Sequence, residues 1–167
     1  TIKPVVYVAN IDEKVISNDN HHIDSLNGAV IKEGNNTIKI CASLEEQLND
    51  LNEEDRKLFL DDYNLKESGL DKLIRVSYDA LSLLTYFTAG EKEVRAWTIV
   101  KGSTAPNAAG VIHTDFEKGF IKAEVIKYAN FIKYGSEIKC KEHGKLSIEG
   151  KDYVVNDGDI MHFRFNV

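Results

Sequence analysis

The sequence predicts an α/β protein in two parts, and three observations lead to this prediction. The run Val5–Ala9 is continuously apolar and rich in β-branched residues, which is typical of a buried strand in an α/β sheet. A second strand, 37–42, is followed by leucines at helical spacing, which gives the strand, loop and helix order of such a sheet. After Leu84 the pattern changes to short strands around one helix. We therefore assign residues 1–84 to an α/β domain and residues 85–167 to a second, strand-rich domain.

Three helices are expected in the first part. Ser43 is a suitable N-cap for the first of them, and Glu46 completes a capping box. Leu44, Leu48 and Leu51 supply its helical spacing. An acidic helix is predicted over 52–63 and a third over 68–84, with an apolar stripe of Leu70, Leu73, Ile74, Leu81 and Leu84.

The second part has the element order of a β-grasp, ubiquitin-like domain, in which two strands and a helix precede further strands. The helix is expected over 105–113, with Pro106 near its start, after a turn at Lys101 and Gly102. A turn at Asp157–Asp159 leads into the closing strand. Strands are predicted over 94–100, 119–128, 146–148, 153–155 and 160–165.

Composition limits the classes of protein to which the chain can belong. With 167 residues, 43% of them hydrophobic and 29% charged, the chain can form one or two globular cores, and disorder is not expected. No apolar run approaches the ~20 residues of a membrane span, so no membrane partner is expected. Cys41 and Cys140 lack the spacing of a disulfide framework or a zinc site, so we expect a cytoplasmic protein without a metal site.

Charge is distributed unevenly along the chain. Residues 1–84 hold 9 Lys and Arg against 16 Asp and Glu, whereas residues 85–167 hold 12 against 11, within a net charge of −6. Any contact with a polyanion is therefore expected in the second part.

The first residues predict that this sequence is part of a longer protein. Thr1 is not an initiator Met, no signal pattern follows it, and a strand begins almost at once, which is abrupt for a domain. An α/β sheet interrupted in this way is expected to expose a strand edge and apolar surface.

Polar residues follow both predicted strands of the first part, at the end where ligands bind in α/β sheets. Asn10–Glu13 follows the first strand and Cys41–Ser43 follows the second. An Asn side chain can both donate to and accept from a purine, and main-chain groups of the second loop can reach a ring oxygen or amine. The alternative is structural: Asn10 and Glu13 form a turn and a helix cap, and Cys41 is a small buried residue.

Longer segments resemble the YchF or Obg-like ATPase family, and together they extend over nearly the whole chain. The segments are Lys3–Glu13, Tyr86–Gly90, Glu93–Thr98, His113–Ile121, Gly150–Tyr153 and Asp157–Asp159. The resemblance implies an α/β fold in which the C-terminal part of a P-loop NTPase (Rossmann-like) domain, residues 1–84, precedes a β-grasp (ubiquitin-like) TGS domain, residues 85–167.

The same resemblance implies roles for the two loops. GTPases of the wider class carry N-K-x-D, whose Asp accepts two hydrogen bonds from guanine, whereas YchF-like proteins carry N-x-x-E, as Asn10-Ile-Asp-Glu does here. ATP is therefore expected to be favoured over GTP. By this resemblance Asn10 contacts adenine, the main chain at Ile11 binds the exocyclic amine, and Glu13 marks the loss of guanine preference. The opposite side of the base would be lined by Cys41, Ala42 and Ser43.

No phosphate-binding motif of the form G-x-x-x-x-G-K-[ST] occurs in the sequence. We therefore expect no catalytic residue in this chain, which alone should be inactive and should bind ATP or GTP weakly. The resemblance places the phosphate-binding loop and the Mg²⁺ contacts upstream of Thr1, in a parent protein that hydrolyses ATP or GTP.

His113–Gly119 resembles the signature of TGS domains. A His beside an Asp suggests acid–base chemistry, but no nucleophile accompanies them, so His113 and Asp115 are expected to end the helix and shape the next turn. Phe116 and Phe120 are expected in the core rather than stacked on bases.

Five cations in the second part are candidates for an RNA contact, and the resemblance supplies the ribosome as the partner, with no DNA expected. A solvated basic face is the alternative, since the charge of this part predicts only modest, salt-sensitive affinity. The candidates are Arg95, Lys101, Lys118, Lys122 and Lys127.

Two hypotheses for function follow. In the first, the chain is part of a ribosome-associated regulator, and the nucleotide state of the missing part repositions the TGS domain. In the second, the chain is a non-catalytic adaptor whose β-grasp domain binds protein partners and whose first part is a packing platform.

Overall fold

The computed structural model describes residues 3–16, 20–33, 37–90 and 93–166. The chain folds into two compact units, residues 1–81 and residues 82–167. In the described part of the chain, no helix has both the length and the apolar character needed to cross a membrane.

The first unit contains a small parallel sheet. Strand β1 (Tyr7–Asn10) pairs with β2 (Thr37–Ile40), in a register that sets Tyr7 opposite Thr37 and Asn10 opposite Ile40. A single 3₁₀ turn, Glu13–Val15, follows β1. Two helices of this unit, α1 and α4, contact β2. Among the described residues of this unit, the helices are α1 (His21–Lys32), α2 (Ala42–Asn49), α3 (Glu53–Asp62) and α4 (Gly69–Ala80).

Side-chain caps define where most of these helices begin. The side-chain oxygens of Asn20, Asn52 and Ser68 accept hydrogen bonds from main-chain amides in the first turns of α1, α3 and α4. The acidic helix predicted over 52–63 and the start of the third helix near residue 68 are thereby confirmed. Helix α1 has no counterpart in the sequence prediction.

The prediction of a buried strand over Val5–Ala9 is wrong. The strand begins at Tyr7, and the side chains of Val5 and Val8 are 51% and 44% exposed. Among the described residues β1 pairs with β2 alone, so no strand lies against its other edge.

The predicted third helix is too long. Helix α4 ends at Ala80, and Ser82 takes a left-handed φ of 53°, which an α-helix cannot contain. Leu84 is therefore a buried residue of the next strand, whereas Leu70 and Ile74 of the predicted stripe are exposed on α4.

The second unit is built on a five-stranded mixed sheet in the order β4-β3-β7-β5-β6. Strand β3 is parallel to β7, and the other neighbouring pairs are antiparallel. The strands are β3 (Leu83–Ala89), β4 (Val94–Val100), β5 (Phe120–Lys127), β6 (Leu146–Glu149) and β7 (Asp159–Phe165). The helices are α5 (Ala105–Ile112), α6 (Thr114–Lys118), α7 (Tyr128–Tyr134) and α8 (Glu137–Glu142).

The core of the second unit lies between the sheet and α5, which contacts β4 and β5. Tyr86 is fully buried there, and its hydroxyl donates to the main-chain oxygen of Ala108 over 2.8 Å. This bond satisfies the one polar atom of a large buried side chain. The other buried members are Leu84, Ile99, Ala105, Ala109, Phe120, Ala123, Val125, Val155, Met161 and Phe163.

Most elements predicted for the second unit are confirmed, including the strands over 94–100, 119–128, 146–148 and 160–165 and the helix over 105–113. The strand predicted over 153–155 is wrong. Val154 makes only an isolated bridge to Thr104, because this segment pairs with the loop before α5 and not with the sheet. Strand β3 and the short helices α6, α7 and α8 were not predicted.

Candidate functional site

The loops that follow β1 and β2 meet at one edge of the parallel sheet, as the sequence predicts. The main-chain amide of Ile11 donates to the carbonyl oxygen of Ile40 over 2.8 Å, which continues the sheet by one bond beyond the paired strands. Parallel strands bring their carboxyl ends to the same side, so the two loops are adjacent although about 30 residues separate them.

Asn10 connects the two loops through its side chain. The Ala42 amide donates to Asn10 Oδ1 over 3.2 Å. Ala42 is the first residue of α2, and the N-cap residue Cys41 offers no side-chain bond, so Asn10 supplies an acceptor to this helix end from another strand. One lone pair of the Asn10 side-chain oxygen is thereby engaged, and its amide nitrogen keeps two donors that it can offer a ligand.

Glu13 is held by two side chains of α2. The hydroxyl of Ser43 donates to Glu13 Oε1 over 3.1 Å, and Nε2 of Gln47 donates to the same oxygen over 3.4 Å. The prediction that Ser43 is an N-cap with Glu46 as its partner is wrong. Helix α2 begins at Ala42, two residues earlier than predicted, and the Ser43 hydroxyl in its first turn bonds Glu13.

The turn after β1 is capped by Asp12, whose side chain accepts from the Lys14 amide over 3.1 Å. The structural alternative for this loop is therefore correct in part: Glu13 begins the turn and Asn10 caps the start of α2, whereas the cap of the turn itself is Asp12. Asn10 and Glu13 make their contacts with the other loop, as described above.

Cys41 is a small buried residue, as the alternative interpretation of its side chain predicts. It packs with Leu44 and Leu48, and its Sγ lies 3.2 Å from the hydroxyl oxygen of Ser43. Ile11 and Cys41 also border a recess of about 270 Å³ beside the two loops. This volume is slightly below the usual range for ligand pockets, so the recess can accept a small group rather than a whole nucleotide.

The five cations predicted for an RNA contact do not share one face of the second unit. Arg95 lies over the ring of Trp97, 4.2 Å from its centroid, on the sheet face that carries the core. Lys122 lies opposite Arg164 in the β5–β7 pair, so both project from the other face. Lys118 is exposed at the end of α6, and Lys101 is in the turn after β4.

Lys127 is engaged within the unit. Its ammonium group donates to Asp159 Oδ1 over 2.7 Å and to the hydroxyl of Tyr153 over 2.8 Å. Asp159 also accepts from the Tyr153 hydroxyl over 2.6 Å and from the Asn156 amide over 2.9 Å. Lys127 therefore balances a fully buried carboxylate, and this role competes with an RNA contact.

His113 ends α5 and caps α6, as expected for a structural residue. Its Nδ1 accepts from the main-chain amide of Asp115 over 3.2 Å. Phe116 stacks on Phe165 with ring centroids 3.7 Å apart, and Phe120 is buried in the core. No group of three or more His, Cys, Asp or Glu in the described ranges is placed to hold a metal ion.

Sequence reasoning did not identify Gln47 as a partner of Glu13 or Arg164 as the cation opposite Lys122. Gln47 lies four residues after Ser43, a spacing that places both on one side of a helix, and this was the available signal. Arg164 could be found only through the register of β5 and β7, which the sequence does not show.

Comparisons with known proteins agree on one family. The family model YchF-GTPase_C, described as a protein of unknown function (DUF933), matches residues 83–166. A protein of Haemophilus influenzae named ribosome-binding ATPase YchF is 52% identical over 167 residues, which is 100% of this chain and 46% of that protein. A protein of the same name from Bacillus subtilis is 47% identical over 169 residues, with the same two coverages.

Two solved structures are also similar to this chain. A structure titled as the YchF GTPase of Schizosaccharomyces pombe matches with a TM-score of 0.82 and 39% identity, over 97% of this chain and 43% of that one. A GTP-binding protein of Pyrococcus horikoshii matches with a TM-score of 0.64 at 23% identity, over 98% of this chain and 46% of that one, which shows the fold alone. The chain thus spans about half the length of the proteins it matches, and their names give no support to the adaptor hypothesis.

Proposed function

Because this chain belongs to the YchF-GTPase_C family, we propose that it is the C-terminal part of a ribosome-associated nucleotide hydrolase. In this proposal the first unit supplies the loops that bind a purine base, and the second unit is a docking domain. The observation that carries the proposal is the hydrogen bond from the Ala42 amide to Asn10, which assembles both loops into one site.

The chemistry of the two loops suits a purine. The Asn10 amide nitrogen can donate to a ring nitrogen such as N7, which adenine and guanine both present as an acceptor. The exocyclic amine of adenine needs an acceptor, and since the Ile11 amide already donates to Ile40, the Ile11 carbonyl is the group suited to it. Cys41, Ala42 and Ser43 border the other side of this site.

ATP is favoured over GTP in this proposal, because Glu13 stands where guanine-specific proteins place an Asp. The Glu13 carboxylate is turned toward α2 by Ser43 and Gln47. We assign the phosphate contacts, the Mg²⁺ contacts and the hydrolysis itself to residues of the longer protein that are outside this sequence. Mg²⁺ bound there would screen the phosphate charge during hydrolysis.

The second unit is proposed to be a TGS domain of β-grasp fold. The support is its topology: β3, β4 and helix α5 precede β5, β6 and β7, and the five strands form a mixed sheet in which β3 and β7 are parallel neighbours. Its proposed partner is the ribosome in the cytoplasm, through Lys118 and Lys122 more than through Lys127 and Arg164, which are paired with Asp159 and Glu124. The relatives named ribosome-binding ATPase support this partner.

Calorimetric titration of ATP and GTP tests the proposal in this chain and in a longer chain that includes a phosphate-binding loop. We expect the longer chain to bind ATP more tightly than GTP, and Asn10→Ala to weaken ATP binding about 10-fold through the lost hydrogen bond. Asn49→Ala, which removes an exposed amide from the end of α2, is the matched control. If ATP binds equally well with and without the Asn10 side chain, the base site is not here.

A further inference from the structure

Two donors from α2 converge on a single oxygen of Glu13. Ser43 Oγ and Gln47 Nε2 both donate to Oε1, at 3.1 Å and 3.4 Å. A carboxylate oxygen has two lone pairs, so these two bonds occupy the acceptor capacity of Oε1 in the plane of the carboxylate. Only Oε2 then remains for a ligand.

Guanine and adenine make opposite demands on a carboxylate at this position. Guanine presents two donors side by side, N1–H and the N2 amine, and a carboxylate binds both only when each oxygen accepts one bond. Adenine presents the lone pair of N1 at the same edge, which a nearby carboxylate would repel. A Glu13 side chain fixed to α2 therefore withholds the bidentate contact from guanine and keeps negative charge away from adenine.

The direction of the bond between Cys41 and Ser43 follows from the bond of Ser43 to Glu13. A serine hydroxyl has one proton, and in Ser43 it is donated to Glu13. The 3.2 Å contact between Ser43 Oγ and Cys41 Sγ must then be donated by the thiol. Cys41 is buried, so this donor is fixed in place behind Ser43.

We propose that Ser43 and Gln47 are positioning residues for base specificity, which hold the Glu13 carboxylate against α2 and so favour adenine over guanine. This inference rests on the proposed function of the two loops. The preference for adenine then depends on how the Glu13 side chain is held, and not only on the presence of Glu in place of Asp.

The test is a titration of the ¹⁵N-labelled chain with adenosine 5′-monophosphate and guanosine 5′-monophosphate, followed through the amide resonances of Ile11 and Ala42. We expect the unsubstituted chain to bind the adenine nucleotide more tightly. The double variant Ser43→Ala/Gln47→Ala should reduce that preference about 10-fold, since it frees Glu13 to accept from guanine.

Four further variants make the result specific. Ser43→Thr retains a hydroxyl and should retain the preference, and Asn49→Ala removes an exposed amide from the same helix and should also retain it. Ser43→Ala alone should have a larger effect than Gln47→Ala alone, because its bond to Glu13 is the shorter one.

The possible outcomes distinguish an error in this inference from an error in the proposed base site. If the double variant weakens both nucleotides equally, with their ratio unchanged, Ser43 and Gln47 only support the loop and the inference is wrong. If the unsubstituted chain shows no shift at Ile11 or Ala42 with either nucleotide, the proposed base site is wrong, and the inference fails with it.

Discussion

The main-chain amide of Ala42 donates to the side-chain oxygen of Asn10 over 3.2 Å, although the two residues are 32 positions apart in the sequence. The bond exists because β1 and β2 are parallel and end together, so that the start of α2 lies beside the end of β1. It positions the Asn10 amide before any ligand binds. A base that bound here would meet a site whose geometry is already set.

Gly119 is required by a close approach of the backbone. Its φ of −90° is open to any residue, but a Cβ at this position would lie 2.0 Å from the carbonyl oxygen of Asn166. We expect Gly119→Ala to lower the free energy of unfolding by about 1–3 kcal/mol, because the end of β7 must shift. Urea unfolding followed by the fluorescence of Trp97, the one tryptophan of the chain, measures this.

The control for this prediction is Gly150→Ala, since a Cβ at Gly150 has no atom within 4 Å. Its free energy of unfolding should stay within about 0.5 kcal/mol of the unsubstituted chain. Equal effects of the two substitutions would contradict the account of Gly119.

Asp159 is a fully buried carboxylate that accepts bonds from Lys127, Tyr153 and Asn156. Asp159→Ala should lower the free energy of unfolding of the second unit by about 3 kcal/mol, since three donors lose their acceptor. We place the effect at the low end of the range for buried pairs because the Lys127 side chain is 50% exposed and can turn to water. Asp152→Ala, at an exposed position of the nearby loop, should have little effect in the same urea measurement.

The same cluster predicts a loss of stability at alkaline pH. Burial and the bond to Asp159 raise the pKa of Tyr153; burial alone would lower the pKa of Lys127, but its bonds to Asp159 and Tyr153 outweigh this and raise it. Both groups keep their protons to higher pH in the folded chain than in the unfolded one. Stability is therefore fully present below pH ~10 and falls as the pH rises further.

Tyr153→Phe tests this pH dependence. The variant should be less stable at pH ~8, because it lacks the bond to Asp159, and its stability should fall less steeply above pH ~10. Part of the fall should persist, because burial also raises the pKa of Tyr86. An unchanged slope in urea unfolding across this pH range would show that Tyr153 does not titrate as described.

Among the five predicted cations, Lys118 and Lys122 are those that we expect to contribute most directly to the proposed ribosome binding. Lys118→Glu/Lys122→Glu should weaken co-sedimentation with purified bacterial ribosomes about 10-fold and reduce its dependence on salt, because phosphate contacts are lost. Lys139→Glu/Lys141→Glu reverses the same number of charges, at two exposed positions of α8, and serves as the control. Equal loss in both pairs would indicate an effect of net charge alone.

Much of the fold could be predicted where the local pattern decides the structure. Strand β4 and helix α5 follow from alternation and from Pro106, and their bounds are nearly as predicted. Strand β3 was missed because Leu81 and Leu84 continue a helical spacing, and only the left-handed turn at Ser82 separates helix from strand. Nothing in the local pattern marks that turn.

The candidate site, like the fold, could be predicted only in part from the sequence. The position of Asn10 and of the second loop follows from the sequence, since both come directly after strands that are parallel. The roles of Ser43 and Gln47 depend on contacts with Glu13 across 30 and 34 positions, and these depend on where α2 begins. The capping rule therefore paired Ser43 with Glu46, whereas its partner in the structure is Glu13.

The central claim is that the loops after β1 and β2 hold the purine base. Nuclear Overhauser effects between the ring protons of bound adenosine 5′-monophosphate and this chain test it most directly. The account predicts contacts from the adenine protons to the Asn10 side-chain amide and to Ala42 and Ser43. Contacts confined to the second unit, or binding without any contact to Asn10, would contradict it.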